Sequence, residues 1–393
     1  MGWKESSVMD ERCRFVLDAM ARGANISELC RRYGVSRKTG YKWLERYQQE
    51  GPAGLYDRSR RPHNSSLVTS GEMVLAVIRL RLQWSTWGPK KIRVLLLRRY
   101  PQTEVPSQST IGRILWRCGL VKAKGRGRPR RWHPGDGRGV ATAPNDLWTV
   151  DFKGWWHTRD GRRCEPLTIR DGYSRYVLAL RGMTSTRSDG VRRVFEEVFE
   201  QYGLPKVIRS DNGGPFACTR ALAGLTRLSA WWKALGIGLD RIEPGHPEQN
   251  GGHERMHRDI SQELQSIGGR DLKDQQERFD LWRVEFNTQR PHEALEMKTP
   301  TRLYRLSPRL YTGERPQVVY PAHFQVRPVR NNGDIRFAGG RRFVSEALAG
   351  WPVGIESLEQ GRIRVWFADL CLGETDASFR SPLRPTASAG IEI

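Results

Sequence analysis

The stretch Lys122-Ala-Lys-Gly-Arg-Gly-Arg-Pro-Arg-Arg131 carries six basic residues, no acid and no large apolar side chain. No core can form around such a segment, because its charges repel and its glycines and proline favour neither helix nor strand. The chain must therefore fold as separate parts on either side of it. The two sides differ in hydrophobic period, which sets what each can be.

Before the basic stretch the period is helical. Met9, Cys13, Val16 and Met20 recur along one face of a 3.6-residue repeat, and Gly23 ends that helix. Ser27 to Gly34 reads as a seven-residue helix with a glycine turn, and Ser36 caps a third helix from Arg37 to about Gln48. That helix is expected to bury Tyr41, Leu44 and Tyr47 and to expose Arg37, Lys38, Thr39 and Lys42. A short helix, a glycine turn and a basic helix make a helix-turn-helix over residues 1–60, whose last helix suits the DNA major groove. An ordinary small bundle with a solvated basic face is the plainer alternative.

An Arg-, Pro- and Ser-rich linker leads to a second helix-turn-helix unit in tandem with the first, residues 67–121, also expected to bind DNA. Met73, Val77 and Leu80 form one apolar face, Pro89 begins a helix carrying Ile92, Leu95 and Leu96, and Ser107 caps another that stops at Gly119. Gln108, Thr110 and Arg113 occupy its exposed first turns, within reach of base edges. The basic segment, counted as a linker over 122–144, offers Lys124, Arg126, Arg128 and Arg130 to phosphates or to a narrow minor groove.

From Asn145 the pattern changes to α/β. Leu147–Lys153, Pro166–Arg170 and Tyr176–Leu180 read as strands, Ser188–Tyr202 as an amphipathic helix, and Val207–Arg209 and Ile237–Ile242 as further strands separated by a helix through Trp231. Three strands followed by helix–strand alternation predict a mixed five-stranded sheet with flanking helices over residues 145–305. Over 320–376 the period becomes two, with Asn332-Gly333 and Gln360-Gly361 as hairpin turns, which predicts a small β-barrel. Residues 377–393 read as a flexible tail. The whole is a multidomain α and α/β chain.

Charge narrows the partners. Sixty-six Lys and Arg against 43 Asp and Glu give a formal net charge of +23. Such an excess favours a polyanion, since each phosphate neutralised releases condensed counterions. The six cysteines are far apart with no C-x-x-C pair, which argues against a zinc knuckle or disulfide framework. The absence of a long apolar run or a signal-peptide core predicts no membrane association and a cytoplasmic, nucleoid-associated location.

Three acids fall where strands or helices would present them at one edge of the sheet. Asp151 sits within the apolar strand Trp148-Thr-Val-Asp-Phe152, where an unpartnered carboxylate is costly. Asp211 ends the strand Val207-Ile-Arg-Ser-Asp211, at the carboxyl edge where ligands of open α/β sheets gather. Glu254 lies in the first turns of a helix that comes after His246-Pro-Glu-Gln-Asn-Gly-Gly252. Converging hard oxygens suit Mg²⁺ or Mn²⁺. Asp171 is explained by an Asp-Gly turn, and Asp240 and Glu243 by solvation. His246, His253 and His257 lack the companions of a zinc site and read as loop packing or DNA contacts. Arg258, one turn beyond Glu254, is a candidate DNA contact.

These motifs carry a resemblance. Trp-Thr-Val-Asp151-Phe-Lys, Ser-Asp211-Asn-Gly-Gly-Pro-Phe216 and His-Pro-Glu-Gln-Asn-Gly-Gly-His-Glu254-Arg-Met-His257 resemble the three acidic motifs of the integrase-core transposases of bacterial insertion sequences, relatives of retroviral integrases. Phe286-Asn-Thr-Gln-Arg-Pro-His-Glu-Ala-Leu295 with Thr299-Pro300 is similar to the stretch that closes their core. The resemblance implies a ribonuclease-H-like core, a DDE site at Asp151, Asp211 and Glu254, and two divalent ions per site. It also implies double-stranded DNA partners (element terminal repeats and target) and a homo-oligomer, at least a dimer on paired ends.

One departure bears on the third acid. Forty-two residues separate Asp211 from Glu254, more than relatives commonly have, and 36 separate it from Glu248. Counting alone selects Glu248; the motif selects Glu254, because relatives usually carry an amide at the Glu248 position. The extra residues are expected in Ala221–Ser229. Two rival functions remain: a catalytically idle DNA-binding regulator derived from a transposase, and a related nuclease such as a junction resolvase.

Overall fold

The computed structural model describes residues 7–58, 69–121, 141–218, 221–243, 246–378 and 383. They divide into two compact units between Thr69 and Ser70.

In the first unit, α1 (Val8–Met20), α2 (Ile26–Arg32) and α3 (Arg37–Glu50) surround Phe15, Val16, Cys30, Trp43 and Leu55. Ser7 and Asp10 form a reciprocal capping box at α1, and Ser36 caps α3 as expected. The α2 cap is Asn25 rather than Ser27, because its side-chain oxygen accepts from both Ser27 N and Glu28 N. The α3 face is also rotated from expectation. Tyr41 is 54% exposed, while Gly40 and Trp43 are buried. A Cβ on Gly40 would lie 2.5 Å from Cys30 Sγ and 2.8 Å from Phe15, so the missing side chain lets α3 dock along that line. Leu44 and Tyr47 are half-buried beside it.

The second unit begins with α4 (Gly71–Gln83), α5 (Pro89–Arg99) and α6 (Gln108–Arg117), which close over Met73, Val77, Leu80, Ile92, Leu96 and Ile111. Pro89 and the Ser107 cap stand where the sequence predicts them. This helical set packs on the α/β region of the same unit. Lys90 Nζ lies 3.4 Å from Glu293, Arg98 donates to the Met297 carbonyl at 3.0 Å, and Thr86 bonds Glu263.

The α/β region contains β1 (Leu147–Phe152), β2 (Trp156–His157), β3 (Arg163–Asp171), β4 (Val177–Met183), α7 (Ser188–Tyr202), β5 (Val207–Ser210), α8 (Arg227–Ala234) and β6 (Gly238–Arg241). Then come α9 (Gly251–Glu263), α10 (Leu272–Thr288) and the short α11 (Pro300–Leu303). The sheet runs β2-β3-β1-β5-β6, with β4 also on β3. Pairing is antiparallel for β1–β3 and β3–β4 and parallel for β1–β5 and β5–β6. The five expected strands are present, and two-residue β2 makes a sixth. Alternation divides the faces. Trp148, Val150, Leu167 and Ile169 bury against α7 and α8, while Cys164, Val177 and Leu180 bury against α9 and α10. Thr149 and Asp151 therefore face the α9 side. Within the stretch expected to hold the extra residues, Leu222–Gly224 forms a 3-10 turn ahead of α8, whose cap is Thr226.

Beyond the core are β7 (Gln325–Pro328), β8 (Asp334–Phe337), β9 (Gly340–Phe343), β10 (Pro352–Ser357), β11 (Arg362–Phe367) and β12 (Leu370–Asp376). They form a four-stranded antiparallel sheet, β12-β11-β10-β7, and a separate β8–β9 ribbon. Two antiparallel sheets thus stand where a small barrel is expected, and among the described residues no pairing joins β12 to β7. Gln360-Gly361 turns β10 into β11 as anticipated. Asn332-Gly333 does not make a hairpin: β7 pairs with β10, and the ribbon turns at Ala338-Gly339, both at positive φ. The sheet shares one apolar cluster with α7 and α8, from Trp231 and Trp232 to Val353 and Phe367.

Candidate active site

Strand pairing brings the first two acids together. In the parallel β1–β5 ladder Leu147 faces Val207, Trp148 faces Ile208 and Thr149 faces Arg209. The ladder stops there, two residues short of each acid, so Asp151 in β1 and Asp211 directly after β5 lie at the same end of the two neighbouring strands. Asp211 is the exposed residue directly after β5, and its Oδ1 accepts from Gly213 N at 3.1 Å. Asn212 Nδ2 donates to the Ile242 carbonyl at 2.6 Å and ties this turn to the end of β6.

Glu254 arrives on α9, exposed in its first turn. What holds that turn on the sheet is a set of buried polar contacts. Thr168 pairs with Asp151 across β1–β3, and its hydroxyl donates to the Asp151 carbonyl at 2.9 Å. The same oxygen meets His253 Nε2 at 2.5 Å and His257 Nε2 at 2.8 Å. With the Thr168 proton committed to the carbonyl, both imidazoles supply Nε2–H to its two lone pairs. Thr149 Oγ1 lies 2.8 Å from His253 Nδ1, and Arg170 Nη1 donates to the Gly252 carbonyl at 2.5 Å. A Cβ at Gly252 would come within 2.6 Å of the Arg170 guanidinium, so any larger residue has to displace that group from the Gly252 carbonyl.

Charge in this region is crowded. Burial, then the nearby Asp211 and also Glu254, push the Asp151 carboxyl up to about 7. Three carboxylates therefore act on one another from distant parts of the chain. Burial drives His253 well below its ordinary value, and burial with Lys153 and Arg170 takes His257 down to about 3, so both rings are neutral. His257 Nδ1 is left as a bare acceptor 3.7 Å from Asp151 Oδ2. Among the described residues no three His, Cys, Asp or Glu side chains are gathered closely enough to hold a metal ion as they stand.

The other sequence candidates divide. Arg37, Lys38 and Lys42 are exposed on α3; Thr39 is half-buried, its hydroxyl 2.9 Å from Ser36 Oγ. Gln108 and Arg113 are exposed on α6; Thr110 is half-buried and accepts from Arg113. Arg258 is exposed, whereas His257 is buried, so neighbours on α9 serve opposite sides. Lys124, Arg126, Arg128 and Arg130 lie outside the described residues. Glu248 precedes α9 in a 3-10 turn, Pro247–Asn250. Asp171 is a turn residue, fully buried and accepting from Asn145 N, Ser174 N and Ser174 Oγ. Asp240 is no freely solvated charge, because Arg209 pairs with it at 2.6 Å. Sequence reasoning missed Thr149, Thr168 and Arg170. The available signal was two threonines and an arginine at every second position on the face that carries Asp151.

Comparison with known proteins finds matches in both the helical and the α/β parts of the chain. Residues 141–247 and 235–300 match the Integrase core domain, residues 11–63 a Helix-turn-helix domain and residues 39–115 a Homeodomain-like domain. An insertion element IS407 protein of 31.7 kDa from Burkholderia multivorans is 25% identical over 288 residues, covering 72% of this chain and 93% of the relative. Residues 141–300 of the chain carry an integrase core domain. A second insertion-element relative of this integrase-core chain, the IS476 39.2 kDa protein of Xanthomonas euvesicatoria, is 28% identical over 39% of the chain and 43% of its own length. The Gag-Pol polyprotein of baboon endogenous virus is 28% identical over 51% of the chain, which spans only 11% of that polyprotein. Among solved structures, the BIV integrase catalytic core aligns at TM-score 0.31 and 21% identity, covering 41% of the chain and 93% of that core. A simian T-cell lymphotropic virus intasome chain aligns at TM-score 0.35 and 14% identity, covering 77% and 98%. No helix among the described residues is long and apolar enough to cross a membrane.

Proposed function

We propose that this chain is a transposase that binds the terminal inverted repeats of a mobile element and catalyses metal-dependent DNA cleavage and strand transfer. Asp151, Asp211 and Glu254 are its catalytic and metal-holding carboxylates. The observation that carries the reading is that Asp151 and Asp211 lie at the same end of the paired strands β1 and β5, with Asp211 and Glu254 both acting on the Asp151 carboxyl. The donor set fits the ions the family implies: three hard carboxylates with no thiol among them, one of which burial and its two acidic neighbours raise to about 7. Mg²⁺ or Mn²⁺, two per site, would be held by these acids and would supply an activated attacking oxygen and neutralise the leaving one. The acids have to draw together for this, and the α9 turn carrying Glu254 is the part that moves. Thr168, His253 and Arg170 set where that turn sits on the sheet.

Arg37, Lys38, Thr39 and Lys42 of α3, with Gln108, Thr110 and Arg113 of α6, read the element ends. Lys124, Arg126, Arg128, Arg130 and Arg258 contact the DNA backbone. The domains run 1–60, 67–121, 145–305 and 320–376, joined by the 122–144 linker. The working form is a homo-oligomer on paired ends in the bacterial cytoplasm. The open disposition of the three acids favours one rival reading, an idle DNA-binding regulator. Nicking of supercoiled plasmid separates the two. Wild-type protein with Mn²⁺ is expected to nick, chelation to abolish it, and Asp151→Asn, Asp211→Asn and Glu254→Gln to remove nicking while duplex binding survives. A wild-type protein that binds without nicking supports the regulator.

A further inference from the structure

Beside α9, on the side of α5, lies a cavity of about 330 Å³, at the small end of the roughly 300–1,000 Å³ typical of ligand sites. Its walls come from α5, the β3–β4 turn, α9 and the segment after α10. Lys91, Arg170, Arg175 and Arg255 all face it, against two acids, Asp259 and Glu293. Both acids are already engaged. Asp259 bonds Arg290 at 2.8 Å with Arg255 3.9 Å away, and Glu293 pairs with Lys90 at 3.4 Å. Among the described residues Lys91, Arg170 and Arg175 have no carboxylate within 4 Å. Arg170 is only 6% exposed, its Nε has no hydrogen-bond partner, and His292 Nε2, in a residue 9% exposed, has none either.

Cations gathered in a partly buried space repel one another and lose hydration, a cost that an anion with several oxygens removes. Guanidinium groups offer paired N–H donors that match a phosphate, and an unpartnered imidazole nitrogen adds one more. Exposed Arg255, Glu293 and Ala294 form the rim, so the space opens to solvent. The position is also specific: Gly252 and Arg255 line it, and they flank Glu254 on the first turn of α9. We propose that this cavity binds one backbone phosphate of a DNA strand running past the three carboxylates, through Lys91, Arg170 and Arg175. The proposal rests on the reading that the chain handles DNA, and it assigns the second helical unit a contact made through α5 as well as through α6.

The test is duplex binding by the full chain across a salt series. Loss of one phosphate contact lowers the slope of log K against log salt by about 0.9. The double variant Lys91→Gln/Arg175→Gln is expected to show that drop with roughly tenfold weaker binding, while Arg175→Lys keeps the wild-type slope. If the double variant fails to fold, Arg175→Gln alone is read in the same titration, and an unchanged slope overturns the proposal. Inorganic phosphate tests the source. A melting temperature raised by phosphate in wild type and double variant alike, with no slope difference, also overturns it. A slope difference in a protein that does not nick leaves this site standing and removes the catalytic reading. Nicking with no slope difference removes the site alone.

Discussion

Replacing Thr168 with valine removes one hydroxyl and almost no volume, and its cost depends on what that hydroxyl touches. Two buried polar groups lose their partner at once, His253 Nε2 and His257 Nε2, while the Asp151 carbonyl keeps its place in the β1–β3 ladder. Thr168 and His253 are fully buried and His257 is 9% exposed, so water does not readily replace the hydroxyl. A buried polar group left unpaired costs about 1–3 kcal/mol, and two in contact do not add fully, which places the variant about 2–4 kcal/mol below wild type. Thr168→Ser keeps the hydroxyl and loses one methyl, worth about 1 kcal/mol. Urea denaturation at constant m-value measures the difference, and amide exchange along α9 localises it. Nicking should fall with valine and return with serine. A valine variant no less stable than the serine variant would refute the account of how α9 is held.

Gly252→Ala drives a methyl into the Arg170 guanidinium, with an expected loss of about 1–3 kcal/mol and faster exchange in the first turn of α9; an alanine variant of wild-type stability removes the close-approach argument. His253 and His292 are held neutral by burial, His292 down to about 2, while their unfolded forms titrate near 6.5. Below that pH the unfolded chain binds protons the folded one does not. Stability should therefore fall by up to about 1.4 kcal/mol per pH unit for each histidine as pH drops from 6.5 toward 5. Urea midpoints at pH 7.5, 6 and 5 check this, and a flat profile contradicts it.

Local signals carried much of the architecture. Capping serines at Ser36 and Ser107, Pro89, and the apolar spacing of Val191, Val194, Phe195, Val198 and Phe199 each state a local rule that the fold obeys. The places of Asp151 in β1 and of Asp211 directly after β5 were legible for a related reason, since the apolar run around each marks where its strand lies. Non-local facts were not legible. Tyr41 lies outside the α3 core because Gly40 admits Cys30 and Phe15 from two other helices. The Asn332-Gly333 turn looks like a hairpin signal, yet β7 has its partner in β10, and only the assembled sheet decides that. Thr168, Arg170 and His253 are ordinary residues in sequence and acquire their role through contacts 82 to 89 positions away.

Asp151 and Asp211 stand at the same end of two strands paired by main-chain bonds, whereas Glu254 is delivered by a helix docked through side chains. Chain can be inserted between the second acid and that helix without disturbing either attachment. Residue counts between acids therefore measure how much loop evolution has spliced in, and carry little information about the geometry of the centre. Searches for related proteins that demand a fixed interval will pass over chains like this one, while a pattern keyed to the glycine and histidine just before Glu254 will retain them.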